Sequence, residues 1–492
     1  MIRKVLIANR GEIAIRISYT LREMGIEAAA VFTAADEGGL HARRAREAHL
    51  VTSYLDIDEM IRTATDAAAD AIHPGYGFLS ENAALSAACA KAGIVFIGPA
   101  PETIRRMGDK LESKRVMQEA GVPVVPIWQG EPPDSEYPVL VKAAGGGGGK
   151  GMRLVERPAD LAGAMAAAAR EAAAAFGDSR VFVEKYIRRP RHIEFQILGD
   201  SHGNYLHVFE RECSIQRRHQ KIIEETPSTA VTPKLRLEMG AAALAAARAV
   251  KYRGAGTVEF ILDPAGRFYF LEMNTRLQVE HPVTEMTTGL DLVREQVRIA
   301  SGEKLPYRQD DLRQTGHSIE CRVYAEIPEE NFRPSIGTIE IYEPPPGPGT
   351  RLDSGVTRGS RVSYHFDPLL AKLIVCAPTR ESAIDRMKRA LDDFVLLGVG
   401  TNIEFLRRII ATDDFALGRL DTAFLDPHPE LFTAPSEVPV EAILAASIPL
   451  PPGEGSREAR GARTRQGEAS SEGEGSGTGF PDAWTSGPWR NS

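Results

Sequence analysis

Hydrophobic and polar residues over the first hundred positions alternate between strand-like and helix-like spacing. Lys4–Ala8 is a short apolar run. The positions after it repeat an apolar side chain every four residues, at Ile13, Ile17 and Leu21. Gly25 ends this predicted helix, residues 28–32 resume as a strand, and the same succession returns over residues 83–97. Alternating elements of this kind predict an open, mostly parallel sheet with helices on both faces.

The first strand-to-helix turn argues against a dinucleotide-binding enzyme. Residues 8–13 read Ala-Asn-Arg-Gly-Glu-Ile and lack the G-x-G-x-x-G spacing that brings a backbone close to a pyrophosphate. We therefore expect no nicotinamide or flavin cofactor on this sheet.

Composition divides the rest of the chain into further regions. Residues 115–187 contain an alanine-rich stretch, 159–175, which predicts a helix with little side chain to bury and therefore a lightly packed, mobile lid. The region after the lid mixes strands and helices, including an alanine-rich helix over 240–250. Beyond it the chain is rich in Gly, Ser, Glu, Arg and Pro, and we expect disorder there. The predicted domains are 1–114, 115–187, 188–437 and a tail, 438–492.

Bulk properties exclude several classes of protein. The formal net charge of −8 does not indicate a nucleic-acid partner. No run of about 18 apolar residues predicts a membrane span, and the first residues carry no signal-peptide pattern. The 4 cysteines are scattered without metal-ligand spacing, which fits a reducing compartment. These features predict a cytoplasmic globular protein.

A strand that ends near a lysine and leads into five glycines predicts an anion site. The strand, 137–144, includes Lys142. The glycines are Gly145, Gly146, Gly147, Gly148 and Gly149. Successive glycine N–H groups can approach a phosphate closely, and Lys142 adds positive charge. The alternative is a flexible linker, but a return strand at 152–155 favours a hairpin that covers phosphates. The Walker sequence is not matched, because Gly151 follows Lys150.

The most informative segment is a predicted hairpin with a carboxylate on each strand. Two apolar runs surround the turn Asp-Pro-Ala-Gly at 263–266. If Leu262 pairs with Arg267, Glu259 lies diagonal to Glu272 on the same face. The separation is then roughly 7–8 Å. Two carboxylates so placed can hold a hard divalent cation that also takes phosphate oxygens.

Polar side chains continue at every second position beyond this hairpin. They are Glu272, Asn274, Arg276, Gln278 and Glu280. In an extended chain all of them point to one side. A solvated strand face is the alternative, but a mixture of amides, a cation and acids between apolar flanks favours a polar site.

Six segments carry motifs that extend this interpretation. Two of them, 137–151 and 270–277, are similar to stretches shared by carbamoyl-phosphate synthetases and biotin carboxylases. The more selective four are 8–14, 73–82, 211–221 and 276–285. They resemble biotin carboxylase in particular, and the resemblance runs from Met1 to about Pro427. It implies an ATP-grasp fold that combines α/β and α+β architecture: an N-terminal Rossmann-like parallel-sheet domain, a mobile lid subdomain and a C-terminal mixed domain.

The resemblance implies that MgATP binds between the lid and the central domain. The matching nucleotide and cofactor contacts are Lys110, Lys142, Gly147, Gly148, Gly149, Glu184, Lys185, Ile187, His192, Gln216, His219 and Tyr76. For His192 and His219 a purely structural role is the alternative. Glu259, Glu272 and Asn274 match ligands of Mg²⁺ or Mn²⁺, in agreement with the hairpin.

The resemblance also implies a bicarbonate site and a biotin site. The matching bicarbonate contacts are Arg276, Gln278 and the backbone of Val279. Glu280 matches the base that deprotonates bicarbonate before it attacks the γ-phosphate and forms carboxyphosphate. Lys221 would neutralise the transferring phosphoryl group. Arg322 matches the arginine that stabilises the biotin enolate, with a structural ion pair to Glu320 or Glu326 as its alternative.

Partners follow from the same resemblance. The sequence contains no Ala-Met-Lys-Met biotinylation motif, so we expect biotin on a carrier protein in trans. Carboxyltransferase subunits, a homodimer and an acyl-CoA carboxylase such as acetyl-CoA carboxylase, in fatty acid biosynthesis, are the associated expectations. The alternatives are another bicarbonate-using ATP-grasp ligase, such as a carbamoyl-phosphate synthetase half, and a nucleotide-binding regulator without catalysis.

Overall fold

The N-terminal part of the chain folds around a parallel sheet, as predicted. The computed structural model describes residues 2–145 and 151–433. Strands β1–β5 are Lys4–Ile7, Glu27–Phe32, Glu47–Leu50, Ala71–His73 and Val95–Phe96. Helices α1–α6 are Gly11–Glu23, Leu40–Arg44, Ile57–Asp66, Ala83–Ala92, Pro101–Gly108 and Lys110–Glu119. The strands pair in parallel in the order β3-β2-β1-β4-β5. Gly93 ends α4 in the left-handed conformation that favours glycine, with φ of 71°.

A small antiparallel sheet follows, in the order β6-β9-β7-β8. Strands β6–β9 are Ile127–Trp128, Val139–Ala143, Arg153–Val155 and Val181–Lys185, and helix α7 is Leu161–Phe176. Strand β7 pairs antiparallel with β8, which confirms the predicted return strand. The residues between them that carry the phosphate-loop prediction, Gly147, Gly148 and Gly149, lie outside the described residues.

The remaining described residues form a mixed region around one large antiparallel sheet. Strands β10–β15 are Arg191–Gly199, Tyr205–Arg217, Gln220–Thr226, Gly254–Leu262, Phe268–Asn274 and His317–Tyr324. Strands β16–β23 are Glu326–Ile327, Arg333–Pro334, Gly337–Thr338, Ile341–Glu343, Thr350–Ser354, Arg361–Val362, Leu369–Ala377 and Val395–Leu397. Helices α8–α13 are Pro233–Ala249, His281–Thr288, Leu292–Ala300, Arg380–Asp393, Ile403–Ala411 and Asp413–Ala416. The large sheet has the order β14-β13-β10-β11-β12-β15-β22-β20.

Helix α8 begins seven residues before the predicted start at 240. Thr232 caps it by accepting a hydrogen bond from the Leu235 backbone N–H, and Pro233 occupies its first position. This capping signal, and not alanine content, sets the start of the helix.

The parallel sheet and the large sheet share one hydrophobic core. Val5 and Ile17 of the first sheet region belong to the same buried cluster as Leu198 and Leu277 of the second. This packing brings α1 next to the irregular segment that follows β14. Among residues 2–145 and 151–433, no helix combines the length and apolar character needed to cross a membrane. The domain boundaries drawn from the sequence stay predictions.

The register of the β13–β14 hairpin differs from the predicted one. Leu262 pairs with Phe268 and not with Arg267, because the Asp263 carboxylate accepts hydrogen bonds from the Arg267 backbone N–H (2.9 Å) and thereby closes a wider turn. A bulge then shifts the register again beside Glu259. The two carboxylates of Glu259 and Glu272 therefore stand directly opposite each other, not diagonally.

Candidate active site

Two carboxylates and an amide converge at the end of the hairpin. Directly opposed residues of an antiparallel pair have Cβ atoms about 4.5–5.5 Å apart, so Glu259 and Glu272 are closer than predicted. Burial and the neighbouring Glu259 raise the pKa of Glu272. The Asn274 side-chain amide donates to Glu259 Oε1 at 2.7 Å. This set of oxygen donors fits a hard divalent cation such as Mg²⁺, which would relieve the repulsion between the two acids.

The second oxygen of Glu259 faces a histidine from the neighbouring strand. His192 Nε2 lies 2.6 Å from Glu259 Oε2, and Gln216 donates to His192 Nδ1 at 2.8 Å. Burial alone would raise the pKa of Glu259, but Lys221 and His192 outweigh it and hold that pKa well below its ordinary value. His219 lies in the two-residue turn between β11 and β12, with φ of 68°. Burial and the nearby Lys142 lower the pKa of His219.

Lys221 joins three buried carboxylates. Its ammonium donates to Glu194 at 2.6 Å, to Glu259 at 2.8 Å and to Glu280 at 2.7 Å. Their negative charges outweigh the effect of burial and hold the pKa of Lys221 well above its ordinary value. Arg211, which is fully buried, donates to the other oxygen of Glu194 at 2.5 Å and completes the cluster.

Glu280 lies between two cations. Its Oε1 accepts from Lys221, and its Oε2 accepts from Arg322 at 3.0 Å. Burial raises the pKa of Glu280, but Lys221 and Arg322 reverse the effect and hold it well below the ordinary value. The Nε of Arg322 donates to Glu224 at 2.6 Å. Arg322 thus forms buried ion pairs, but with Glu224 and Glu280 and not with Glu320 or Glu326, the partners considered from the sequence.

The segment that carries Glu280 is not extended. Strand β14 ends at Asn274, and residues 275–280 form irregular backbone and a turn before α9. The prediction of a continuous extended strand is wrong. The polar side chains nevertheless meet: Arg276 donates to Gln278 at 2.9 Å, and Gln278 donates to Glu259 at 3.1 Å. The side chains of Arg276 and Gln278 are long enough to meet although the backbone changes direction, and the bond from Gln278 to Glu259 connects this segment to the hairpin.

Lysines gather around Glu184, a buried residue of β9. Lys114 and Lys142 lie 3.1 Å and 2.9 Å from its two oxygens. Burial lowers the pKa of Lys110, and the neighbouring charge of Lys142 lowers it further, whereas Glu272 acts against both. Three cations near the carboxylate of Glu184 form a site suited to a polyphosphate. Lys185, also on β9, pairs with Glu136 at 2.8 Å, and Ile187 follows the strand half-buried.

Tyr76 approaches the cluster from the N-terminal region. Its hydroxyl donates to Glu12 of α1. The same carboxylate oxygen lies 3.2 Å from the Lys372 ammonium, which in turn donates to the Val279 carbonyl at 2.8 Å. Burial raises the pKa of Glu12 to about 7.

Several members of the site were missed at the level of sequence. They are Glu194, Glu224, Lys114 and Lys372. Glu194 had a signal, because it lies on the same side as His192 and Gln196 at a spacing of two residues, with apolar residues between them. The other three are single charged residues whose role depends on contacts with distant strands.

Glu320 has an exposed fraction of 0% and no hydrogen-bond partner among the described residues. Burial raises its pKa well above the ordinary value, so the native state keeps a proton that the unfolded chain releases above about pH 4.5. Native stability is consequently lost as pH rises through the folded-state pKa of Glu320.

Glu320→Gln removes this loss, because glutamine carries no titrating proton. We expect the unfolding free energy of the variant, measured relative to wild type, to be higher at pH 8.5 than at pH 6 by on the order of 1–2 kcal/mol. Thermal unfolding at both pH values measures this, with the exposed Glu131→Gln as control. An equal effect of Glu320→Gln at the two values contradicts it.

Comparison with known proteins gives a consistent result over three successive parts of the chain. Three protein-family models match it: the biotin carboxylase N-terminal domain over 1–104, the carbamoyl-phosphate synthase L chain ATP-binding domain over 109–308, and the biotin carboxylase C-terminal domain over 320–427. A carbamoyl-phosphate synthetase half, the rival at the level of sequence, explains only the middle match.

Individual relatives agree with these models. Biotin carboxylase of Nostoc sp. is 51% identical over 438 residues, covering 86% of this chain and 98% of the relative. A chloroplastic biotin carboxylase of Populus trichocarpa is 49% identical over 451 residues, covering 88% and 85%. The solved biotin carboxylase domain dimer of Hydrogenobacter thermophilus 2-oxoglutarate carboxylase, in complex with MgADP, ADP and bicarbonate, has a TM-score of 0.85 and 46% identity, covering 89% of this chain and 100% of that one. The fold, the arrangement of the site and these similarities together show that this chain belongs to the biotin carboxylase family.

Proposed function

We propose that the buried cluster around Glu280 carboxylates biotin with MgATP and bicarbonate. The observation that carries this proposal is the position of Glu280 between two cations. Lys221 binds one oxygen of Glu280 and also contacts Glu259, a predicted metal ligand, whereas Arg322 binds the other oxygen of Glu280. A family relative holds MgADP and bicarbonate in its solved structure, which supports the same ligands here.

The nucleotide would bind where the lysines and the carboxylate hairpin meet. Lys110 and Lys142 would contact phosphates, and the segment from Glu184 to Ile187 would receive adenine. The remaining contacts would be the glycine loop, His192, Gln216 and His219. A Mg²⁺ ion held by Glu259, Glu272 and Asn274 would neutralise charge on the phosphates.

Bicarbonate would bind to Arg276, Gln278 and the Val279 backbone. Glu280 accepts the bicarbonate proton, a bicarbonate oxygen attacks the γ-phosphorus, and the bond from that phosphorus to the bridging oxygen of ADP breaks. The carboxyphosphate decomposes to CO₂ and phosphate. The phosphate removes the N1 proton of biotin, whose enolate, stabilised by Arg322, then bonds to CO₂.

Lys221 would control the strength of this base. Paired with two cations, the Glu280 carboxylate is ionised at neutral pH but weakly basic. When the ammonium of Lys221 turns towards a transferring phosphoryl group, Glu280 loses one of its cations and its pKa rises. A base whose pKa approaches the operating pH accepts a proton more readily. ATP and bicarbonate would thus activate the base by binding together.

The acceptor of the carboxyl group belongs to the same proposal. Biotin would be presented by a biotin carboxyl carrier protein in trans, and carboxyltransferase subunits of an acyl-CoA carboxylase, such as acetyl-CoA carboxylase, would use the product. The Nostoc relative is itself named biotin carboxylase, which supports biotin as the acceptor here. The dimer of the solved relative supports a homodimer.

The test is ATP hydrolysis by the purified full chain with bicarbonate, with and without free biotin. We expect ADP release to require bicarbonate and to rise with biotin. If the rate of hydrolysis depends on bicarbonate but does not change when biotin is added, biotin is not the acceptor.

A further inference from the structure

A fully buried lysine lies behind the turn that carries Glu280. Lys372 lies on β22, where it pairs with Arg322 of β15 on one side and with Asp353 of β20 on the other. Directly paired residues of an antiparallel sheet project from the same face. Lys372 and Arg322 therefore approach the Glu280 turn side by side from adjacent strands.

The two cations hold different parts of the same turn. Arg322 donates to the Glu280 carboxylate at 3.0 Å, whereas Lys372 donates to the carbonyl of Val279, the preceding residue, at 2.8 Å. Val279 is buried, and its segment has neither helical nor strand backbone. A buried carbonyl without a donor is strongly unfavourable. The peptide that joins Val279 to Glu280 is therefore oriented by a side chain 93 residues away in sequence.

The ammonium of Lys372 is itself fixed by two acids. Glu12 lies 3.2 Å from it and Asp353 3.8 Å, and the exposed fraction of Lys372 is 0%. The Glu12 oxygen that faces Lys372 also accepts the hydroxyl of Tyr76, a proposed cofactor contact. Breaking a buried ion pair leaves an uncompensated charge, so these contacts leave the ammonium little freedom to move.

We infer that Lys372 is a positioning residue that orients the Val279–Glu280 turn for bicarbonate and ties it to helix α1 and Tyr76. The inference rests on the proposed role of Glu280 as the base. Lys372 touches neither the lysine group around Glu184 nor the carboxylate hairpin through any hydrogen bond or ion pair found among the described residues. Of the proposed cofactor contacts it reaches Val279 directly and Tyr76 through Glu12, so we expect its effect on bicarbonate and not on the lysines around Glu184.

The test is a steady-state comparison of full-chain variants in bicarbonate-dependent ATP hydrolysis without biotin. Lys372→Met keeps the length of the side chain and removes its charge and donors. We expect kcat/KM for bicarbonate to fall about 10- to 100-fold, the loss typical of a charge-assisted hydrogen bond, with KM for ATP within about twofold of wild type. Lys114→Met is the matched control, because Lys114 is equally buried but contacts Glu184. We expect it to raise KM for ATP and to leave KM for bicarbonate unchanged.

Different results would refute the role of Lys372 and the proposed function on which it rests. An unchanged kcat/KM for bicarbonate in folded Lys372→Met, or a parallel rise of both KM values, overturns the positioning role. Wild-type protein without bicarbonate-dependent hydrolysis, or Glu280→Gln with normal hydrolysis, overturns the proposed function instead. If Lys372→Met does not fold, Lys372→Gln replaces it, since its amide keeps an N–H donor without charge. We then expect a smaller decrease in kcat/KM for bicarbonate. An unchanged kcat/KM for bicarbonate in Lys372→Gln overturns the inference.

Discussion

Glu280→Gln is expected to reduce bicarbonate-dependent ATP hydrolysis by about 10²- to 10⁴-fold, the usual contribution of a positioned general base. Glutamine keeps the shape of the side chain and an acceptor oxygen for Lys221 and Arg322, but it cannot take the bicarbonate proton. The Kd for ATP should stay within about threefold, because the lysines that face Glu184 are unchanged. Steady-state ADP release and equilibrium nucleotide binding measure the two quantities.

The control for Glu280→Gln is a buried glutamate outside the cluster. Glu210 is also fully buried, and it pairs with Arg236. Glu210→Gln tests whether loss of a buried ion pair alone lowers activity. Hydrolysis reduced equally by both substitutions contradicts a chemical role for Glu280.

Arg322→Met is expected to reduce carboxybiotin formation by about 10²- to 10³-fold, in the range seen when one donor to a developing oxyanion is removed. Arg322 donates through Nε and Nη2 to Glu224 and Glu280, while Nη1 has no hydrogen-bond partner among the described residues. We expect that nitrogen to donate to the enolate oxygen of biotin. Biotin-free hydrolysis of ATP should fall much less, since phosphoryl transfer precedes this contact.

Arg322→Met should also destabilise the fold. Removing one partner of a buried ion pair costs about 3–5 kcal/mol, and burial already raises the pKa of Glu224 to about 7. The rates of Arg322→Met must therefore be calculated per mole of folded protein, with the folded fraction measured by thermal unfolding. Arg236→Met is the matched arginine control. Equal losses with and without biotin would contradict a specific role of Arg322 towards biotin.

The sequence predicted those parts of the site that depend on local spacing. The carboxylates of the hairpin and the polar residues beyond it follow a period of two, and the structure brings them together. Their register was wrong, because it depends on hydrogen bonds to the Asp263 carboxylate and on a bulge beside Glu259. Neither of these is encoded in the alternation of apolar and polar residues.

Contacts between distant segments account for the rest. Lys221 meets Glu280 across 59 residues, and Arg322 meets Glu224 across 98. The motifs drew attention to Lys221, Arg322 and Glu280, but not to Glu194 and Glu224, which also hold the two cations. Lys372 stood in an apolar strand with no motif around it, and only the order of strands in the large sheet explains its function. Among the missed residues, Glu194 had a signal in the sequence, because it lies two residues from His192.

The central claim is that a bicarbonate oxygen attacks the γ-phosphate of ATP in the cluster around Glu280. The most direct measurement is the reaction of the full chain with ¹⁸O-labelled bicarbonate, ATP and biotin, followed by mass analysis of the inorganic phosphate. Attack by bicarbonate transfers one labelled oxygen to each phosphate released, and that is the result we predict. Phosphate without label would mean that water attacks ATP, and it would contradict the assigned chemistry.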